Sequence, residues 1–366
     1  MIITDVESFL VDIPFLHPFV VWRGAVTSKR HVLVRIETDT GITGWGEASP
    51  FLYYAPETAS DIHSMISGPL RDDLIGRDPR DIRTIHAEQG VIDGHHFAKA
   101  AIETALWDIL ARSVDLPLHR LLGGSVRASV PVVIVIQSGE PDDMAREACD
   151  LVDRGFRRLK IKIGFGPELD EAMVAKVREA VGANPTIRVD AEESYQVKDA
   201  LLIGRRLEKY TIELFSQPVA RTDWEGMALL RANLPMPLLA DEGIHSPEDV
   251  LQCVRTGAAD MVNIKVLKSG GLLASLEMAA VCKAANLPVV VGSMVESGIG
   301  SLLGAHFASV IPGAAPTELC GPLLFQDDLL DSPLRIENGD LHFSDQPGLG
   351  AGVALDRLQK HRVCVN

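Results

Sequence analysis

From about Val130 onward the chain follows a rhythm that few folds can satisfy. Short apolar segments at residues 132–137, 159–163, 187–190, 212–216, 237–240, 261–264, 288–292 and 316–319 alternate with helical stretches, for instance 168–181, 224–232 and 271–285. Eight short apolar strands, each but the last followed by a helix, predict an α/β fold: a (β/α)7β TIM-type barrel. An open doubly wound sheet is the alternative, but no Gly-rich nucleotide fingerprint follows its first strand.

The flanking regions read differently. Residues 6–11, 31–36 and 42–47 have strand character, the last two joined by a turn at Asp39-Thr40-Gly41. Between the first two lies a stretch, residues 14–24, that we expect to be a loop. It is rich in Phe15, Phe19 and Trp22, so it packs on a second domain or covers a ligand. Residues 49–54 form a second such loop. Three helices follow, the third with Phe97, Ala101, Ala105 and Asp108 on a narrow face suited to close packing. The tail, residues 334–366, returns to hairpin character and is expected to pair back onto the N-terminal region. The expected organisation is an α+β capping domain (1–125), the barrel (126–325) and a tail returning to the cap (326–366).

Composition narrows the partners. A net charge of −15 with no basic stripe excludes nucleic acid as a natural partner and disfavours anionic membranes. No apolar run is long enough to span a bilayer. The opening residues carry Asp5 and Glu7 where a secretory signal would be basic. The five cysteines (Cys149, Cys253, Cys282, Cys320, Cys364) are scattered and form no CxxC pair, as expected for reduced thiols in a cytoplasmic protein. His95, His96, His245 and His306 have no metal-ligand spacing with them and are expected to be structural.

In such barrels chemistry sits at the C-terminal ends of the strands. The second strand carries Lys160 and Lys162, two apart and so on one face. Alone, that pattern also fits an edge strand whose lysines meet water. The third strand ends in Asp190-Ala191-Glu192-Glu193, the fourth in Ser216-Gln217-Pro218 and the fifth in Asp241-Glu242. The sixth runs into Lys265, with Lys268 a turn later; the seventh ends near Glu296 and the eighth at Glu318. Acids on neighbouring strands repel unless a cation bridges them, and carboxylates suit a hard ion such as Mg²⁺. Asp190 and Asp241 also fit helix N-caps, Glu296 a brace for the next helix, Trp22 interdomain packing and Lys268 a loop lysine. A lysine near a metal and a second lysine is expected to have a lowered pKa and act as a base.

The chain resembles the enolase superfamily, in particular its muconate-lactonizing (muconate cycloisomerase) subgroup, which includes dipeptide epimerases and N-acylamino acid racemases. The resemblance spans essentially the whole chain. It is carried by Gly44-Trp45-Gly46-Glu47, Lys160-Ile161-Lys162, Val189-Asp190-Ala191, Gln217-Pro218, Ala240-Asp241-Glu242, Asn263-Ile264-Lys265 with Gly270-Gly271, Glu296-Ser297-Gly298-Ile299-Gly300 and Thr317-Glu318-Leu319-Cys320-Gly321. It implies Lys162 and Lys265 as acid/base lysines on opposite faces of a substrate α-carbon, with Lys160 beside the carboxylate. It also implies Asp190 and Asp241 as ligands of Mg²⁺ (or Mn²⁺), Glu242 orienting Lys265, and Glu318 near the substrate.

One departure stands out. The family's second metal ligand, a Glu before Gln-Pro, is Ser216 here. Glu213 is three residues back on the other face, whereas Glu192 shares its parity with Asp190 and is the expected replacement. The Asp-x-Asp of dipeptide epimerases is absent from the last strand, which counts against a dipeptide substrate. The expected function is α-proton abstraction from a small carboxylate through an enediolate. That is cycloisomerisation or racemisation/epimerisation, possible substrates including a proline-type or N-substituted amino acid, by a homo-oligomeric enzyme. The alternatives are a dehydratase of a hydroxy acid or hydroxyproline, and a binding-only relative with a decayed metal site.

Overall fold

The computed structural model describes residues 1–51 and 53–363, so Leu52 and Cys364 lie outside the described residues. The chain begins with an antiparallel sheet, β1 (Ile3–Val21), β2 (Gly24–Thr38) and β3 (Thr43–Ala48), in that order. One face is mostly apolar, with Val32, Val34 and Ile36 entirely buried and Ser8 opposite Val34 bonded to His63 and Ser67. Helix His96–Ser113 lies against β3. A Cβ at Gly44 or Gly46 would sit 2.2 or 1.9 Å from the carbonyl oxygens of Ala105 and Ala101, so only glycine permits this approach. The small-residue helix face is the other half of the same contact, and Asp108 on it accepts a hydrogen bond from Trp45 N (3.1 Å).

Residues 14–24 are not the expected loop. β1 and β2 continue past a register shift between Pro14 and Phe19 as a two-stranded arm, with Phe19 opposite Val26 and Val21 opposite Gly24. Pro14 and Pro18 remove two ladder donors and so interrupt the pairing. Burial of Phe15, Phe19 and Val21 restores it, and Phe15 stacks on Phe325 at 4.7 Å between centroids.

After a short β4 (Val130–Pro131) come β5 (Ile134–Val135), β6 (Arg158–Lys162), β7 (Thr186–Asp190), β8 (Ile212–Ser216), β9 (Leu238–Ala240), β10 (Met261–Ile264) and β11 (Val289–Val291). They form one parallel sheet in sequence order. The expected eighth strand forms only an isolated bridge, yet its backbone closes the ring. On one side Ala315 N and Glu318 N donate to Val289 O (2.9 Å) and Val291 O (3.0 Å). On the other, Thr317 N donates to Pro131 O and Val133 N to Thr317 O, both at 2.7 Å. Low in the barrel lie Leu214, Leu239 and Val290, with the buried Arg188 level with Leu214, and further polar side chains lie above them.

Two tail strands, β12 (Arg335–Glu337) and β13 (Asp340–His342), form the expected hairpin, but β13 pairs with β4 beside the barrel rather than with the N-terminal sheet. Other parts of the tail do return to the N-terminal region: Gln326 N donates to Pro14 O (2.9 Å), Leu118 N to Gly348 O (2.9 Å), helix Leu355–His361 packs on β1, and Val363 N donates to Leu10 O (2.9 Å). Among the described residues no helix is long and apolar enough to cross a membrane.

Candidate active site

Ring closure turns the strand order into a map of side chains. In an eight-membered ring, β6 and β10 are four steps apart in either direction, so Lys162 on β6 and Lys265 just past β10 come from opposite walls. Between them on one side lie the ends of β7, β8 and β9, which supply Asp190, Ser216 and Asp241-Glu242. On the other lie β11, the closing segment and β5. One cavity is lined by Lys160, Lys162, Lys265, Asp190, Glu192, Glu242 and Glu318, together with Tyr54, Lys268 and His245.

Each buried lysine is held by carboxylates. Lys162 Nζ lies 2.7 Å from Asp190 Oδ2 and 2.5 Å from Glu192 Oε1. Lys160 Nζ lies 2.9 Å from the same Asp190 oxygen and 2.8 Å from Glu318 Oε1. Across the ring, Lys265 Nζ is 2.8 Å from Asp241 Oδ1, and Lys268 Nζ donates to Asp241 O (2.6 Å). Asn263 Nδ2 ties the two halves, donating to Asp241 Oδ2 (2.9 Å) and Glu318 Oε2 (3.2 Å). Neither aspartate is a helix N-cap: the following helices begin at Val197 and Pro247, behind Gln196 and Ser246.

These pairings set the protonation pattern. Burial alone would lower Lys162 and Lys265, but the adjacent carboxylates outweigh it and raise both. Burial likewise opposes ionisation of Asp190 and Asp241, yet their lysine pairs hold both below the ordinary carboxylate range. The lowered basicity expected for the two lysines is therefore absent while they are bound to these aspartates. Of the four lysines that line the cavity, Lys268 alone is lowered, by burial. Glu242 is pushed up to about 8 by burial and by Asp241 beside it.

Among the described residues no cluster of three or more His, Cys, Asp or Glu side chains is arranged as a metal centre. Glu192, the expected third ligand, has both oxygens engaged, one by Lys162 and the other by Tyr54 OH (2.6 Å). The oxygens left without a partner are elsewhere: Asp190 Oδ1, Ser216 Oγ, Glu242 Oε2 and Asn263 Oδ1, all buried. They come from the ends of four successive strands, β7 to β10. Unpartnered buried oxygens are costly, and an all-oxygen set is what a hard divalent cation takes. The residues fit such an ion, with Glu242 rather than Glu192 presenting the free carboxylate oxygen. Glu213 is committed to Arg188 (3.2 Å).

Other expected residues sit further out. Phe19, not Trp22, forms the arm's part of the cavity wall. Trp22 Nε1 donates to Glu192 O (3.0 Å) and so holds the backbone of a residue whose φ of 46° is unusual for a non-glycine. Ser216 is buried and does not line the cavity. Glu296 accepts from Met294 N (2.6 Å) and braces its own loop. Sequence reasoning missed Lys268, Tyr54 and Asn263 as parts of this network. It also assigned His245 a purely structural role, whereas His245 reaches the wall and donates to Glu242 O (2.8 Å). The Lys265-x-x-Lys268 spacing in a tight turn was the one available signal, since it returns both amines to Asp241.

A closed parallel barrel with lysines on opposed strands and acids between them, beneath an α+β sheet, defines an enolase-type enzyme. Residues 143–357 match the family model "Enolase C-terminal domain-like", and residues 5–123 match "Mandelate racemase / muconate lactonizing enzyme, N-terminal domain". The chain belongs to the enolase superfamily, in its muconate-lactonizing-enzyme-like subgroup, and is an enzyme of the isomerase class. It is 33 % identical to the N-succinyl-L-Arg/Lys racemase of Bacillus cereus, over 98 % of both chains. The muconate lactonizing enzyme of Pseudomonas fluorescens, solved with muconolactone, superposes with a TM-score of 0.96 at 35 % identity over 99 % of both chains. The dipeptide epimerase of Cytophaga hutchinsonii, solved with Mg and D-Ala-L-Val, gives 0.95 at 31 % over the whole of both chains. Enzymes of this superfamily generally use a divalent metal.

Proposed function

We propose that this enzyme removes the proton α to the carboxylate of a small acid, with Lys162 and Lys265 working from opposite faces. The observation that carries the proposal is the diametric placement of two largely buried lysines, each bound to its own aspartate across one cavity. One lysine takes the α-proton and the other returns one from the far side, which inverts the centre. The same pair serves a cycloisomerase in which only one lysine moves a proton. Lys160, between Asp190 and Glu318, lies where it would offset charge on the substrate carboxylate. Asp190 and Asp241, with Glu242 and the Ser216 hydroxyl, would hold Mg²⁺ or Mn²⁺. Such an ion would supply Lewis-acid stabilisation of the enediolate and would draw the aspartates away from the lysines. Burial of the site beneath Phe19 and Phe51 keeps bulk water from the carbanion.

We place the reaction among racemisation, epimerisation and cycloisomerisation of small carboxylates, a proline-type or N-substituted amino acid among them. The supports are the racemase, epimerase and cycloisomerase relatives. The cap (1–125), barrel (126–325) and tail (326–366) are the proposed working units. Four free cysteines among the described residues fit a cytoplasmic enzyme. The exposed Leu229, Leu251 and Val254 on consecutive barrel helices fit homo-oligomer assembly.

The test is solvent exchange. N-acylated amino acids and unsaturated diacids incubated with enzyme and Mg²⁺ in D₂O should include one that gains α-deuterium, followed by NMR. Lys162→Ala and Lys265→Ala should each slow turnover by about 10²–10⁴-fold, the usual contribution of a general acid or base. Full activity in either variant removes the two-lysine mechanism. The lone serine at β8 favours one second reading, a binding protein without metal chemistry, which predicts acid binding with no exchange in any case.

A further inference from the structure

Resting on that proposal, we infer that the substrate is a monocarboxylate whose remaining part is uncharged and apolar. The two lysines define a diameter, and the halves of the ring on either side of it differ in chemistry. The β7–β9 half holds Asp190, Glu192, Asp241 and Glu242 and all but one of the unpartnered site oxygens, the last being Asn263 on β10, so the substrate's reacting carboxylate belongs there. Whatever else the α-carbon carries must then point at the other half. That half is walled by Val133 and Val135 near β5, Met294 after β11 and Leu324 after the closing segment, and roofed by Phe19 and Phe51. Phe19 begins at Lys162 itself, whose amine stands 6.0 Å from the ring centroid, so the apolar wall starts beside the reacting carbon.

No charge in that half is free to receive a second charged group. Of its acids, Glu318 on the cavity wall is bound by Lys160 and Asn263, and Glu296 behind it accepts from Met294 N. Lys29, behind Phe51, is buried and donates to Ser49 O and to the carbonyls of Met294 and Val295. Arg221 lines the cavity at the other side, and Glu193 holds it with two hydrogen bonds of 2.9 and 2.7 Å.

A binding series tests this without requiring turnover. Butanoate, hexanoate, adipate and 6-aminohexanoate are titrated by calorimetry into the Mg²⁺-loaded enzyme at pH 7.5. Hexanoate should bind about tenfold more tightly than butanoate, from two further buried methylenes. Adipate and 6-aminohexanoate should bind at least about 100-fold more weakly than hexanoate, because their far charge would be buried unpaired. Val135→Lys should narrow the gap between adipate and hexanoate by about tenfold or more; the wild-type order decides the matter if that variant does not fold. Equal or tighter binding of adipate or 6-aminohexanoate, no gain from butanoate to hexanoate, or no binding of any of the four overturns the inference. Failure of α-deuterium exchange leaves this order untouched, so the pocket and the chemistry fail separately.

Discussion

Glu47 offers the sharpest energetic test of how the N-terminal sheet is fixed on the barrel. It is completely buried at the end of β3, yet its carboxylate serves a helix 250 residues away. Oε1 accepts from Ser297 N (2.8 Å) and His31 Nδ1 (2.8 Å), and Oε2 from Ser297 Oγ (2.7 Å) and Gly300 N (2.8 Å). The sheet thus caps helix Gly298–Val310, which follows β11. Glu47→Ala strands two backbone donors and an imidazole in a dry interface. At roughly 1.5–3 kcal/mol for each hydrogen bond to a charged group, the two helix donors alone imply a loss of about 4 kcal/mol. With an unfolding entropy of about 2.1 cal/mol/K per residue, 366 residues give roughly 0.8 kcal/mol/K, so Tm should fall by about 5 °C. Glu47→Gln keeps one acceptor and should lose about half as much. Burial pushes the Glu47 carboxyl up, but hydrogen bonds from His31 and Ser297 outweigh it and hold the group below its ordinary value. A depressed acid stabilises fully above the unfolded carboxylate pKa and loses that contribution as pH falls through the folded value. Wild type should therefore show an acid limb that Glu47→Gln flattens. Thermal scans and urea titrations from pH 3 to 7 measure both effects. An alanine variant within about 1 °C of wild type, or a glutamine variant as damaged as alanine, would refute the capping account.

Two further outcomes concern the site. Trp22→Ala removes the donor to Glu192 O, so it should lower kcat through Lys162 while shifting Tm by only a few degrees; unchanged kinetics across the acid panel would make the arm simple packing. For the metal, Glu242→Gln should weaken Mg²⁺ binding by calorimetry more than Glu192→Gln does, and Ser216→Glu should strengthen it. A wild type that binds no divalent ion while Ser216→Glu binds one would favour the metal-free reading.

Sequence carried the architecture further than it carried the network. The strand–helix alternation is a local signal, which is why the parallel strands were legible, to the residue at β8 and β10. The closing segment was legible too, although it forms too few ladder bonds to count as a regular strand. Residues 14–24 misled because two prolines, aromatic side chains and Gly24 are turn and loop signals, whereas the arm is held by pairing with itself and by Phe325, some 300 residues on. Strand-end position identified Lys162, Asp190, Asp241 and Lys265. It could not say that Tyr54 would occupy the second oxygen of Glu192, or that Glu242 would be left with an open one. Those facts depend on which side chains meet across the ring.

Ring closure is also what the proposed two-sided chemistry depends on. On an open sheet, β6 and β10 would be separated by three strands, about 19 Å at the usual strand spacing, too far for two amines to share one carbon. Curling the sheet until residues 315–318 bond to both β11 and the 131–133 segment puts the same strands face to face. The three intervening strand ends are gathered into one acidic arc, and the three remaining segments into an apolar one. A single topological event, the hydrogen bonds of Thr317 and its neighbours, therefore sets Lys162 and Lys265 on opposed walls and separates the acidic side of the cavity from its apolar side.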